Sequence, residues 1–499
     1  MPRSPDQILT VRQMRAAEQA LIDAGSSVEA LMDVAGRGAA DWVWRVAGHR
    51  PVTVLCGPGN NGGDGYVIAE ALRERGGQVA VIAAAEPRTD AARNARSLFQ
   101  GEVLGPDIRP QGLRQPQGDR VLVDCLFGSG LARPLTAEHL GLLQDLAQSH
   151  KHRIAVDLPS GVDSDSGAAL DEGLPSYDLT LALGAWKFAH FLMPACAAMG
   201  ALRLVPIGVT AVPGAAQLIG QPELRAPAAD AHKYRRGLLG VVAGEMPGAS
   251  VLAAIAAQGA GAGYVKLLGG RGGSAATRSA RADLDPVSRE YRNPAQAELV
   301  EAHALPWDLV LDVNPLSQVL EDKRWSAVLI GPGLGRTDAA RARLAAALQA
   351  DIPTVADADA LMILRPPDPA PAIATPHDGE FAALEKAFGL APSGAKPERA
   401  LALAKASGAV IVAKGPDTVI AAPDGRLALA PRASSWLSTA GTGDVLAGTI
   451  ASRLAAGADP FAAAGQGVWL HAEAARHCAA PFTAGDLARA VPRAYAAAS

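Results

Sequence analysis

Two series of short apolar runs, each run followed by a helical pattern, constrain this chain more than any other feature. Between about residues 50 and 210 the runs are PVTVLC, QVAVIA, DRVLVDCLF, HRIAVDLPS and DLTLALG. Apolar runs of this length, bounded by turn formers and separated by amphipathic stretches, are the pattern of βαβ units. Strands joined in that way lie parallel under covering helices. The series restarts at GLLGVVAG (237–244) and a small-residue helix, then continues through YVKLL, SAVLIGPGLG, IPTVADADAL, AIATP, AVIVAKG and DTVIAAP. Between the two series, IGVTAVPGAAQLIGQPELRAPAAD (207–230) is rich in Pro, Gly and Ala and marks a break. The expectation is an α/β protein of two domains with a boundary near residue 220: residues 1–215, a linker over 216–230, and residues 231–499. Residues 10–48 precede the first series with amphipathic helix, whose Leu, Met, Val and Trp positions read as core contacts. Residues 269–298 lack periodicity and read as a surface insertion.

Charge and cysteine usage exclude several classes. A net charge of −4 over 499 residues, with no block of like charges, gives no pull toward nucleic acid or an anionic membrane. Cys56, Cys125, Cys196 and Cys478 never form C-x-x-C, and three of them lie in apolar segments. Buried free thiols are expected, without zinc or a disulfide framework. The N-terminal stretch MPRSPDQILTVRQMRAAEQ has no apolar core of a secretion signal, and no apolar run reaches the roughly 20 residues of a membrane span. A cytoplasmic location fits.

CGPGNNGGDGY (56–66) places Gly57, Gly59 and Gly62 in the G-x-G-x-x-G spacing that lets backbone approach a dinucleotide pyrophosphate. Glu86 follows the next apolar run, about where a ribose-binding carboxylate would sit in an NAD-dependent dehydrogenase. Asn60, Asn61 and Asp64 do not belong to a plain glycine turn. With Asp124 and Ser160 from neighbouring strand ends, they form an oxygen cluster suited to a hard cation beside phosphates. Singly, each is as readily a turn former or helix cap. Asp157 ends a buried strand at the crevice where α/β sheets bind small molecules, and is the leading acid–base candidate.

The second half points to phosphoryl chemistry. In TAGTGDVLAGTIASRLAAG (439–457), Gly441 and Gly443 precede Asp444 and a long apolar helix. Backbone N–H groups at such a helix start hold an anion. A static phosphate would repel Asp444, so general-base work on a hydroxyl is the better reading; a simple helix cap is the alternative. Lys414, Gly415, Pro416, Asp417 and Thr418 form a polar turn at a strand end, a fair place to meet nucleotide phosphates. Gly333 and Gly335 allow close backbone approach, to a ligand or within a tight turn. Asp357 and Asp359 are candidates to hold magnesium through water.

AGTGDVLAG resembles the anion-hole motif of the ribokinase-like superfamily. IGPGLG (330–335), VADADAL (355–361), TPHDGEF (375–381) and KGPDTVI (414–420) stand in the order seen in ADP- or ATP-dependent NAD(P)H-hydrate dehydratases. That resemblance spans roughly residues 225–495. It implies that His377 and Ala249 contact substrate with Gly333, Gly335 and Asp444, and that ADP with magnesium is the phosphoryl donor. Met362 stands where the family usually has Asn, and AGEMPGAS (243–250) replaces its glycine- and serine-rich loop.

GPGNNGGDGYV (57–67) in turn resembles the signature of NAD(P)H-hydrate epimerases, followed in family order by VDCLFGSGLARPL, VDLPSGVDSDSG and TLALGAWKFAH. This match covers about residues 8–210, and fusion of the two enzymes is a known arrangement. It implies a Rossmann-like three-layer α/β/α sandwich ahead of a ribokinase-like α/β/α domain. It also implies potassium held by Asn61, Asp124 and Ser160. The substrate would be wrapped by Asn60, Asn61, Gly62, Gly63 and Asp64 and by the loop Gly128, Ser129, Gly130, Leu131, Ala132, Arg133, Pro134. Lys187 matches a family lysine, with Trp186 in place of Pro, and would hold the Asp157 carboxylate ionised. Val34 replaces a common Asn. The function expected is repair of hydrated NADH and NADPH: epimerisation of the R and S hydrates, then ADP-dependent dehydration of the S form. Three rivals remain: a small-molecule kinase with a non-catalytic nucleotide-binding N-terminal domain, a redox enzyme using NAD through Gly57-x-Gly59, and a binding module whose N-terminal half only senses nucleotide. The apolar N-terminal helices could serve a homo-oligomer.

Overall fold

The computed structural model describes residues 6–107, 118–269, 309–312 and 314–499. Apart from residue 269, the stretch expected as a surface insertion lies outside them. The chain divides into two compact units, Met1–Leu218 and Ile219–Ser499.

The first unit runs β1 (Gln7–Leu9), α1 (Val11–Asp23), α2 (Val28–Ala47), β2 (Val52–Cys56), α3 (Asn60–Glu74), β3 (Val79–Ala83) and α4 (Asp90–Leu98). It continues with β4 (Val103–Leu104), β5 (Gly118–Cys125), α5 (Ala137–Ser149), β6 (His150–Val156), β7 (Leu179–Leu183), β8 (Trp186–Lys187), β9 (Ala201–Val205) and β10 (Ala216–Leu218). Seven strands pair in parallel in the order β4-β3-β2-β5-β6-β7-β9. β1 pairs antiparallel with β10 and parallel with β8. Chain direction through the large sheet reverses between β2 and β5, and a crevice opens at the carboxyl ends of strands on either side of such a point.

α2 follows a helical stripe: Met32, Ala35, Gly36, Ala39, Ala40, Val43 and Ala47 are buried. The stripe is small because α3 lies close; a Cβ on Gly36 would stand 2.5 Å from that of Val67. The tryptophans expected as core contacts, Trp42 and Trp44, are half-buried and pack against the core. The outer side of Trp42 lies beneath the guanidinium groups of Arg45 and Arg203, 5.0 and 5.2 Å from its ring centre. Val34 points outward, 49% exposed.

The second unit runs β11 (Leu238–Val242), α6 (Pro247–Gly259), β12 (Tyr264–Leu268), β13 (Val310–Asp312), α7 (Leu316–Val319), β14 (Ala327–Ile330), α8 (Asp338–Gln349), β15 (Thr354–Ala356) and α9 (Asp359–Ile363). Then come β16 (Ile373–Ala374), α10 (Asp378–Ala387), α11 (Lys396–Ser407), β17 (Val410–Ala413), β18 (Val419–Ala421), β19 (Leu427–Leu429), α12 (Thr442–Ala455), α13 (Pro460–Arg476) and α14 (Ala484–Ala497). Its strands pair as β13-β12-β11-β14-β15-β16-β17-β18-β19, parallel through β17 and antiparallel over the last two. α12 is buried on nearly all sides and is seated by glycines. A Cβ on Gly448 would lie 2.1 Å from the Ala253 carbonyl oxygen, and one on Gly467 2.5 Å from Ile450.

The Pro- and Gly-rich break is structured chain. Ala216–Leu218 form β10. Ile219 and Leu224 are buried, their N–H groups donating to Leu429 and Ala498 carbonyls at 2.9 and 2.8 Å. Cys56, Cys125 and Cys196 are buried, and Cys478 is half-buried. Among the described residues no helix is long and apolar enough to cross a membrane.

Candidate active sites

A cavity of about 780 Å³ occupies the crevice at the ends of β2, β5 and β6. Of the glycines in the opening motif, Gly59 lines it, and Gly57 and Gly62 let backbone segments pack closely. A Cβ on Gly57 would stand 1.8 Å from the Leu126 carbonyl oxygen, and one on Gly62 would stand 1.9 Å from that of Gly57. Asn60, Asn61, Asp64 and the whole Gly128–Pro134 loop line the cavity. Gly62 and Gly63, expected to touch substrate, are not in its lining; a Cβ on Gly63 would meet Met32.

Asp157 and Lys187 meet at its centre. Lys187 Nζ donates to Asp157 Oδ1 and to the Leu183 carbonyl, both at 2.5 Å, with only 1% of the lysine exposed. The Ser129 N–H donates to Asp157 Oδ2 at 2.8 Å. Burial works to raise the carboxyl, but the Lys187 charge and hydrogen bond and the Ser129 N–H outweigh it and hold Asp157 below the usual carboxylate range. Removing one partner of such a buried pair leaves an uncompensated charge and costs on the order of 3–5 kcal/mol. Asp157 has φ +67°, a left-handed conformation uncommon outside glycine. It is held there by its N–H to the Leu181 carbonyl at 2.7 Å and by His190.

His190 was not singled out by sequence reasoning, although it closes the TLALGAWKFAH segment. Its Nδ1 accepts from the Lys187 N–H at 2.9 Å, so Nε2 carries the proton donated to the Asp157 carbonyl at 2.8 Å. Burial and the neighbouring Lys187 push the imidazole down to about 4, so it stays neutral and fixes the backbone of both partners. Arg15 and Glu18 of α1 also line the cavity. They alternate with the apolar positions that mark α1 as a covering helix, which hid them.

Glu86 does not reach the cavity as a ribose-binding acid. It is 84% exposed at its side chain and paired with Arg96 of α4. The oxygen cluster is assembled from three elements. Asn61 donates through Nδ2 to the Val156 carbonyl at 3.3 Å, while its Oδ1 is buried without a partner among the described residues. Asp124, fully buried, accepts from the Leu126 N–H (3.1 Å), the Ser160 N–H (3.1 Å) and hydroxyl (2.8 Å), and the Tyr177 hydroxyl (2.5 Å). An orphaned amide oxygen, a buried carboxylate and a hydroxyl are donors of the chemistry that fits a hard monovalent cation.

In the second unit, Asp357 follows β15, Thr375 follows β16 and Lys414 follows β17. Lys414 Nζ donates to Asp357 Oδ1 at 2.7 Å, and the Thr375 hydroxyl donates to the same oxygen at 2.6 Å. Glu380 Oε2 lies 3.8 Å from the ammonium. Burial works against the Lys414 charge, but Asp357 and Glu380 overcome it and keep the lysine protonated. Opposite stands the N-terminus of α12, capped by Gly441 at φ +89°. A Cβ on Gly443 would be 3.7 Å from Lys414 Nζ, so the first turn of the helix faces the ammonium. Asp444 is pushed up to about 7 by burial, then by the Asp357 charge, with Lys414 opposing. His471 Nε2 ties the Thr442 carbonyl at 2.9 Å and is itself driven down to about 4 by burial.

Several expected positions have structural work of their own. His377 caps α10, accepting from the Gly379 N–H at 3.0 Å, with its side chain 61% exposed. Gly333 and Gly335 have φ +62° and +82°, and their missing side chains admit the Met246 carbonyl and the Glu245 carboxylate. Ala249 and Met362 are half-buried on α6 and α9. Asp359 does not join Asp357; its oxygens take Arg336 Nε at 2.8 Å and the Gly335 N–H at 3.0 Å. Asp417 is held by Lys396 Nζ at 2.6 Å, which also donates to the Lys414 carbonyl at 3.2 Å and so braces the Gly415–Thr418 turn. No sequence signal marked Lys396, which starts α11 while its partners lie in the turn between β17 and β18.

Fold and sites together define a two-domain α/β enzyme: a first parallel-sheet unit with a buried carboxylate–lysine pair, and a second whose glycine-capped helix start carries a carboxylate. A family model described as NAD(P)H-hydrate dehydratase matches residues 239–495, and one described as YjeF-related protein N-terminus matches residues 28–189. The bifunctional NAD(P)H-hydrate repair enzyme of Thermosynechococcus vestitus is 32% identical over 94% of this chain and 92% of its own. That of Gloeobacter violaceus is 34% identical over 94% and 93%. A solved ADP/ATP-dependent NAD(P)H-hydrate dehydratase from Bacillus subtilis is 27% identical, covers 56% of this chain and 95% of its own, and superposes with a TM-score of 0.44. The chain belongs to the family of bifunctional NAD(P)H-hydrate repair enzymes.

Proposed function

We propose that the first unit interconverts the R and S hydrates of NADH and NADPH at the hydroxyl-bearing ring carbon, and that the second unit dehydrates the S form at the expense of ADP. The observation that carries the reading is Asp444, a carboxylate at a helix start built for anions and poised to ionise near neutrality. As a general base it removes the proton of the substrate hydroxyl while that oxygen attacks the terminal phosphate of ADP. Lys414 and the first N–H groups of α12 take up the charge on the transferring group. AMP leaves first. Phosphate then departs with the C–O electron pair, a proton is lost from the adjacent ring carbon, and the reduced ring is restored. Magnesium would neutralise the nucleotide phosphates, with Asp357 the carboxylate nearest to Lys414 to meet it.

In the first unit, Asp157 is the base, kept ionised by Lys187 and in place by Ser129 and His190. Asn61, Asp124 and Ser160 would hold potassium, which supplies positive charge beside the substrate phosphates. The Gly128–Pro134 loop and the Asn60–Asp64 turn would embrace the dinucleotide. The test supplies hydrated NADH with ADP and magnesium and follows the near-ultraviolet absorbance of the reduced ring. Recovery is expected with wild type and absent with Asp444→Asn. No recovery by wild type with ADP or ATP refutes the repair reading; a stable phosphorylated product favours the kinase alternative.

A further inference from the structure

The epimerase cavity holds more acid than Asp157 alone. Glu18 from α1 and Asp64 from α3 line the same space as Asp157 and Lys187. Three carboxyls thus gather around one buried ammonium, and a single ammonium keeps only one of them ionised. Lys187 and Ser129 commit that charge to Asp157. Asp64 is 8% exposed and driven well above the usual range by burial and by the Asp157 and Glu18 charges. Glu18 is raised too, first by burial and then by Asp157, with Lys187 and Arg15 opposing. Unlike Asp64 it is only half-buried, so it can exchange its proton with solvent.

Resting on the epimerase reading above, we propose that Glu18 is the second acid–base group of this site, the proton donor that complements Asp157. Epimerisation of a hydroxyl on a carbon beside the ring nitrogen needs both. The C–O bond breaks as the nitrogen lone pair forms a C=N⁺ bond, and Glu18 gives its proton to the departing hydroxide, making water. Water then adds to the other face; its oxygen forms the new C–O bond, the C=N⁺ pair returns to nitrogen, and Asp157 takes the released proton. The site ends with the proton moved from Glu18 to Asp157, and exchange with solvent resets it. Two carboxyls with environments that push them apart, one anionic and one neutral, divide acid and base work in this way. α1 carries Glu18 over a cavity whose base comes from a strand end, so the two reach the substrate from different elements.

The test measures interconversion of purified R hydrate by the full chain without ADP, so that the dehydratase is silent. Glu18→Gln should lower kcat for interconversion by about 10²-fold or more with KM little changed. Glu18→Asp should recover part of the loss. The wild-type rate should fall at alkaline pH as the Glu18 proton is lost, and that limb should be missing from the residual Glu18→Gln rate. The charged groups that face Glu18 are Arg15, Asp64, Asp157 and Lys187, so Asp64→Asn should keep the limb if Glu18 is its source. Thermal denaturation of each variant, compared with wild type, reports on its folding. Glu18→Gln with wild-type kcat and pH profile, or with only KM raised, overturns the proposal. Wild type that fails to interconvert the epimers refutes the epimerase reading itself, a separate outcome.

Discussion

At the scale of single residues, the two units tune carboxyls in opposite directions with the same materials. Asp157 sits in contact with Lys187 and stays anionic. Asp444 rises to about 7, first because it is buried and then because the Asp357 charge adds to that; Lys414 opposes the rise, but its hydrogen bond goes to Asp357. Two consequences follow with defined sign. As a base, Asp444 works ionised, so the dehydration rate should rise with pH through a midpoint near 7. For stability, the unfolded carboxyl releases its proton near 3.8 and the folded one near 7. This group's contribution is therefore full below about 3.8 and is lost as pH rises to about 7. Asp444→Asn should melt at a higher temperature than wild type at pH 8, a difference that closes toward pH 4, as thermal denaturation at the two pH values will show. The site trades stability for a base of matched strength.

At the scale of elements, what matters is how closely backbone segments approach. The Gly128–Pro134 loop can lie on Asp157 because Gly128 has no side chain: a Cβ there would fall 2.7 Å from Asp157 Oδ2 and 3.2 Å from Asn61 Cγ. Gly128→Ala should push the loop outward, loosen the Ser129 N–H bond, and lower epimerisation about tenfold or more. ADP-dependent dehydration of S hydrate, measured on the same sample, should keep its wild-type rate. Element identity was legible in the sequence wherever periodicity was strong; β2, β3, β5, β6, β7, β11, β12, β14, β15 and β17 all stand in the apolar runs that announced them. Side-chain direction was less so. Cavity-lining Glu18 belongs to a helix that reads as core-covering, because an amphipathic pattern tells which face is apolar and not what the polar edge meets.

At the scale of the whole molecule, two separate pockets of chemistry share one chain, and each should be removable alone. Given a mixed R and S sample with ADP and magnesium, wild type should restore the reduced cofactor fully. Asp157→Asn should restore the S fraction at normal speed and then slow to the rate of spontaneous epimerisation. Full-speed repair of the mixture by that variant would remove Asp157 from the epimerase mechanism. By itself, the sequence determined the two α/β units, the strands within them and the local motifs, since hydrophobic period and turn chemistry act over a few residues. It also placed Asp444 and the glycine-bounded helix start, which are neighbours in the chain. Lys187 meets Asp157 across 30 positions as the family resemblance implied, but only the tertiary structure decided the other distant meetings: Lys414 with Asp357 across 57 positions, His190 against the Asp157 carbonyl, and Glu18 over the same cavity. Those partners are set by strand order, and charge states follow from burial and partners together, neither of which is a local property of sequence.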